Sequence, residues 1–248
     1  MLLVPLGVPR KSVQATGLHL ICIPYAGGAA STFQMWAASL APHIAPRAVQ
    51  LPGRQNRVDE PNHTRMSDVL AELSRAIVPV VKEPYAFFGH SNGALIAYEL
   101  ARTLRALGAS EPEYLFVSGS RAPTVPSRKP LLHPLADAEF IAEVDRLNGT
   151  PREILEHPEM RELVLPALRA DTEVNETYEY REARPLSCPI VAFIGERDPK
   201  VCRDEVLPWR EMTTGAFTLE ELPGDHFFLH QERARLVGLI NDYLSTPN

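Results

Sequence analysis

"FFGHSNGALIAYEL", Phe87 to Leu100, holds an apolar run, a glycine-flanked serine and then a helical pattern. Gly89 and Gly93 stand two residues either side of Ser91, so the pentapeptide fits G-x-S-x-G. The pattern alone is common by chance. Placed between a strand and a helix it describes a nucleophile on a sharp, strained turn. Such a turn needs small residues where strand and helix approach, which glycine supplies. It also aims the helix N-terminus, with its free N–H groups and positive dipole end, at the serine.

Working outward, strand-like and helix-like segments alternate. "LHLICIP" (18–24), "PRAVQLP" (46–52), "PYAFFGH" (84–90), "EYLFVSGS" (113–120), "CPIVAFIGERD" (188–198) and "GAFTLEELPG" (215–224) read as short buried strands. Met66 to Val81 has Val69, Leu70, Leu73, Ile77 and Val80 at helical spacing, and Asn92 to Leu107 carries Leu95, Ile96, Leu100 and Leu104. A last helix follows the last strand. Apolar strands alternating with helices predict an α/β domain, its mostly parallel sheet covered on both faces. Residues 121–184 break the rhythm: a Pro-rich start, then helices over Asp137–Leu147, a turn from Pro151, and Pro158 to about Tyr180. This block reads as a helical lid inserted within one domain spanning 1–248, at the sheet end where ligands bind.

A nucleophilic serine needs a base, and the base needs an orienting group. On this kind of sheet the chain order is serine, acid, histidine. Asp198 ends a strand and His226 follows the last one in "ELPGDHFFLH", which supplies that order. Glu196 and Asp204 are alternatives to Asp198, and Asp225 lies too close in sequence to His226 to orient it. His90 is expected to face away from Ser91 and pack. His226 and His230 lack the glutamate of a zinc-binding H-E-x-x-H, since Phe227 stands there, so no metal is expected. The second oxyanion donor belongs to "PYAGGAAS", which makes the backbone N–H groups of Ala26 and Asn92 the candidate pair.

Composition narrows the class. The chain has 248 residues, 45% hydrophobic and 23% charged, with a formal net charge of −6. That size buries a core without disulfides or metals, and the charge argues against nucleic acid as partner. No apolar run approaches the roughly 20 residues of a membrane span. "MLLVPLGVPRKSVQ" lacks a basic leader and is interrupted by Pro5, so it reads as a short mobile start rather than a signal peptide. Cys22, Cys188 and Cys202 are odd in number and scattered, which suits reduced thiols in a cytoplasm.

With these residues in place the chain resembles the stand-alone type II (editing) thioesterases of polyketide and nonribosomal peptide pathways. The likeness runs through "IPYAGG" (23–28), "LPGRQNR" (51–57), "GHSNGALIAYEL" (89–100), "LPALRAD" (165–171), "GERD" (195–198) and "GDHFFL" (224–229). It implies an α/β-hydrolase fold. It also implies hydrolysis of acyl thioesters held on the phosphopantetheine arm of acyl or peptidyl carrier proteins, clearing stalled or aberrant groups in antibiotic biosynthesis. Ser91, His226 and Asp198 would be the catalytic residues, and no cofactor beyond the substrate's own arm is needed. A monomer is the expected state. The family usually has Met where this chain has Asn92, whose side chain would border the acyl pocket. Arg121, Arg128 and Lys129 are candidates for docking an acidic carrier. A general carboxylesterase or acyl-CoA thioesterase on the same fold is the competing reading.

Overall fold

The computed structural model describes residues 2–6, 17–127, 129–146 and 157–245. Its centre is a seven-stranded sheet of β1 (Leu3–Pro5), β2 (Leu18–Ile23), β3 (Ile44–Val49), β4 (Tyr85–His90), β5 (Leu115–Ser118), β6 (Ile190–Gly195) and β7 (Phe217–Leu222). The spatial order is β1-β3-β2-β4-β5-β6-β7. All neighbours are parallel except β1, which runs antiparallel to β3. This is the α/β-hydrolase arrangement expected from the sequence.

Alternation along each strand explains how one sheet serves two cores. On β2, Ile21 and Ile23 join one apolar cluster while Leu20 and Cys22 join the other. On β4, Tyr85 and Phe87 face the first cluster, and Ala86 and Phe88 the second. The first face is covered by α1 (Met66–Ile77) and α2 (Asn92–Ala106), through Val69, Leu73, Leu100 and Leu104. The second is covered by α5 (Arg233–Ser245), through Leu236, Val237 and Ile240, and by a 3₁₀ segment at Ala30–Ala38, through Phe33 and Trp36.

Two features differ from the sequence reading. Leu3–Pro5 is an edge strand, not a mobile start, and pairs Leu3 with Val49 and Pro5 with Arg47. Three residues ending in a proline carry too little alternation to announce a strand. The last helix is split: Phe228–Gln231 forms one turn before α5 begins.

Between β5 and β6 lie α3 (Asp137–Arg146) and α4 (Pro158–Glu176). Phe140 and Val144 of α3 meet Leu165 and Leu168 of α4 in a small satellite core. The turn expected from Pro151 falls outside the described residues. Helix α4 has two characters. Met160 and Leu163 in its first turns are exposed, whereas Leu165, Ala167, Leu168, Ala170, Asp171 and Val174 are buried. Pro166 lies at the change and removes one N–H from the helical ladder. Cys22 and Cys188 are buried and Cys202 is exposed, all as free thiols.

The turn after β4 is held by steric fit. A Cβ on Gly93 would lie 2.2 Å from the Ile23 carbonyl oxygen, and one on Gly89 would lie 2.2 Å from that of Gly93. Helix α2 therefore enters against the ends of β2 and β4 with no room for a methyl group. Gly93→Ala is expected to destabilise the fold by about 2–3 kcal/mol, the upper part of the overpacking range, because rigid backbone must move. A denaturant midpoint equal to wild type would contradict this close approach.

Candidate active site

Ser91 connects β4 to α2 with φ 54° and ψ −118°. A left-handed φ on a residue with a Cβ is strained, and persists only where the surroundings over-determine it. Here the Ser91 N–H donates to the Ser118 carbonyl on β5 at 2.7 Å, while the two glycines let the chain turn. The strain lifts the serine hydroxyl clear of strand and helix.

The hydroxyl meets the histidine that the chain order predicted. His226 Nε2 lies 3.1 Å from Ser91 Oγ, and His226 Nδ1 lies 2.8 Å from Asp198 Oδ2. With its Nδ1–H donated to the carboxylate, the ring presents a lone pair at Nε2 to the serine. The other carboxylate oxygen, Oδ1, accepts the N–H groups of Lys200 at 2.7 Å and Val201 at 3.2 Å. Both side chains are almost wholly enclosed. Burial pulls the His226 pKa below its ordinary 6.5, assisted by the Lys200 charge and opposed by the Asp198 bond. The imidazole is therefore neutral at pH 7, the form a base requires.

The rival residues are elsewhere engaged. Glu196 and Asp204 are exposed. Asp225 Oδ1 accepts the Phe227 N–H at 2.8 Å and so shapes the loop that carries His226. His230 bonds the Tyr25 hydroxyl at 3.1 Å. His90 is fully buried, with Nδ1 2.9 Å from the Ser118 hydroxyl and its ring against that of His226. Among the described residues no group of three or more His, Cys, Asp and Glu is placed to hold a metal ion.

Tyr25 to Gly28 form a turn closed by the Gly28 N–H donating to the Tyr25 carbonyl at 2.8 Å. Gly27 has φ +74°, the position where a type II turn demands glycine. Ala26 precedes it and borders the same cavity as Ser91 and Asn92. Asn92 is the first residue of α2, so its N–H has no acceptor within the helix.

This turn is fastened to α4 by a buried ion pair. Asp171 Oδ2 accepts the Gly27 N–H at 2.8 Å and Arg54 Nη1 at 2.5 Å, and Oδ1 accepts Arg54 Nη2 at 2.9 Å. Arg54 also donates to the carbonyls of Gly28 and Pro52. The Asn92 side chain reaches the same helix: its Nδ2 donates to the Asp171 carbonyl at 3.2 Å, and its Oδ1 accepts from Asn175 at 3.3 Å. The "LPGR" and "LPALRAD" segments are thus two halves of one contact. Reading the sequence assigned no role to Arg54, Asp171 or Asn175. The available signal was a lone aspartate on the apolar face of a predicted helix.

Ser91 opens into a cavity of about 630 Å³, walled in part by Leu132, Leu135, Val144 and Leu168. The docking candidates Arg121, half-buried, and Lys129, exposed, also border this cavity. Arg128 lies outside the described residues.

Asp171→Asn keeps the shape but leaves Arg54 without its counter-charge. Breaking a buried pair in this way typically costs about 3–5 kcal/mol. The variant should unfold at lower denaturant, and its kcat should fall as the 25–28 turn loosens; wild-type values for both would remove the fastening role. The depressed His226 pKa sets a sign for pH dependence. The rate should rise as His226 loses its proton, so the acid limb of kcat/KM should have its midpoint below 6.5. A midpoint above 6.5 would contradict it.

A family model described as a thioesterase domain matches residues 18–244. The gramicidin S biosynthesis protein GrsT of Aneurinibacillus migulanus is 43% identical over 223 residues, covering 90% of this chain and 87% of that protein. Thioesterase PikA5 of Streptomyces venezuelae is 42% identical over 231 residues, covering 92% and 82%. Among solved structures, the RedJ thioesterase of the prodiginine pathway in Streptomyces coelicolor aligns with a TM-score of 0.87 at 37% identity, covering 96% of this chain and 91% of that one. On sequence and fold together, the chain belongs to the thioesterase family.

Proposed function

We propose that this protein is a type II editing thioesterase, which hydrolyses acyl thioesters from the phosphopantetheine arm of carrier proteins in polyketide or nonribosomal peptide synthesis. The observation that carries the reading is the Ser91–His226–Asp198 chain, at 3.1 and 2.8 Å, opening into the cavity of a thioesterase-family chain. Ser91 Oγ attacks the thioester carbonyl as its proton passes to His226 Nε2. The C–S bond breaks and the thiol leaves with that proton. A water then gives a proton to His226 and attacks the acyl-serine, freeing the acid and restoring the Ser91 hydroxyl. The N–H groups of Ala26 and Asn92 receive the negative charge on the carbonyl oxygen, each donor contributing about 3–4 kcal/mol to transition-state stabilisation. The scheme calls on no metal or diffusible cofactor; the phosphopantetheine belongs to the substrate.

Helices α3 and α4, within residues 121–184, are read as a lid over this site in a single domain. Among the described residues no helix is long and apolar enough to cross a membrane; the reading adopted for the protein is a cytoplasmic monomer that meets carrier domains. Asn92 ties the serine turn to α4 and also borders the cavity, so its side chain is both a brace and part of the acyl wall.

Release of acyl groups from a loaded carrier protein tests the reading, with a simple ester as control. Wild type should clear the carrier, and Ser91→Ala should lose on the order of 10⁶-fold in kcat. Cleavage of the ester but not of the carrier thioester would favour a general carboxylesterase. Asn92→Met should retain turnover but shift acyl preference across a chain-length series; an unchanged profile would take Asn92 out of the acyl wall.

A further inference from the structure

The cavity holds cations that the hydrolytic scheme does not use. Lys200 lies two residues beyond Asp198, and its backbone is fixed because its N–H donates to the Asp198 carboxylate. Lys129 Nζ donates to the carbonyls of Lys200 at 2.8 Å and Pro199 at 3.4 Å, which ties it to this loop. Arg121 donates through Nε to the Val125 carbonyl at 3.1 Å. All three side chains line the cavity that contains Ser91. Among the described residues, none of the three forms an ion pair with a carboxylate.

Two carboxylates share the lining, and the charge of one, Glu176, acts on both Arg121 and Lys200. Glu176 accepts the N–H groups of Leu132 and His133 and the His133 ring. Glu143 pairs with Arg146. Four cations, Arg121, Lys129, Arg146 and Lys200, against these two carboxylates leave the cavity lining with a surplus of positive charge. Burial draws the Lys200 ammonium down to about 8 despite the nearby Asp198 charge. It remains mostly protonated at neutral pH, half-buried and without a carboxylate at salt-bridge distance among the described residues. A partly buried charge of this kind is stabilised by an opposite charge that arrives and bonds to it.

We propose that Lys200, with Arg121 and Lys129, binds an anionic group at the far end of the acyl chain, so that the enzyme accepts carboxyacyl thioesters. This rests on the thioesterase reading above. The arm's own phosphate is a poor fit: it lies a whole pantetheine away from the sulfur. Two residues span at most about 7 Å, so the Lys200 backbone stays close to Asp198, and Lys200 borders the same cavity as Ser91. Leu132, Leu135, Val144 and Leu168 offer apolar wall in the same cavity for the methylenes between carbonyl and carboxylate.

The test compares a succinyl thioester with its neutral succinamoyl counterpart, which has nearly the same shape. Each is offered on a carrier protein and on N-acetylcysteamine, which has no phosphate. Wild type should favour succinyl by about tenfold in kcat/KM on both leaving groups, the scale of a charge-assisted hydrogen bond. Lys200→Gln should remove that preference, and Lys200→Arg should retain most of it. Using the ratio of two substrates cancels any shared disturbance of Asp198. A wild-type preference for succinamoyl overturns the proposal, as does a ratio untouched by Lys200→Gln. A Lys200→Gln defect confined to carrier-bound substrates, and equal for both acyl groups, places the cation on the phosphate and also overturns it. If only the N-acetylcysteamine thioesters are cleaved, the carrier reading fails while the ratio still decides this inference. Cleavage of neither thioester overturns both.

Discussion

The site depends on one carboxylate buried away from water. Asp171 answers the Arg54 guanidinium with both oxygens and the Gly27 N–H with one of them. A charge in that position is tolerable only when its neighbours meet nearly every lone pair. Arg54 in turn spans the chain after β3 and the carbonyl of Gly28. Gln50, fully buried behind them, accepts the Ala30 N–H and donates to the Arg54 carbonyl. The loop beside the serine, the segment after β3 and helix α4 are thereby parts of one polar cluster. None of them can shift far without exposing an unpaired group in the interior.

That cluster divides α4 into two unlike halves. Its inner half, Leu165 to Val174, is wall rather than flap, because Asp171 and the Asn92 contacts belong to it. Its outer turns before Pro166 are exposed and carry no comparable anchor among the described residues. The change from anchored to exposed helix falls near the proline, where the helical ladder already lacks one donor.

Much of this was legible in the sequence, for identifiable reasons. Strands β2, β4, β5 and β6 are buried on both faces and read as unbroken apolar runs. The serine turn announced itself through two glycines whose absent Cβ atoms are now seen to be required. Asp198 and His226 were found because chain order narrows the choice when strand ends are known. The rest was hidden by distance or by size. Arg54 and Asp171 are 117 residues apart, and no local pattern links them. The Ala30–Ala38 segment buries Phe33 and Trp36 but is diluted by alanine and serine, so it did not stand out as an element. That Arg121 and Lys129 border the cavity could not be read from their charge alone, although Lys129 is exposed as its charge suggested.

The two margins of the sheet have a consequence for how molecules of this protein meet at high concentration. An open strand edge is a template on which another chain can add a strand. Here one margin is the three-residue β1, ending in a proline that has no N–H to offer. The other is β7, where Glu220 is tied to the Tyr243 hydroxyl and Glu221 pairs with Arg203. Short length and proline on one side, and acidic side chains on the other, leave little for a neighbour's backbone to join. Ribbon-like growth from sheet to sheet is therefore discouraged at both ends, and encounters between copies are left to side chains.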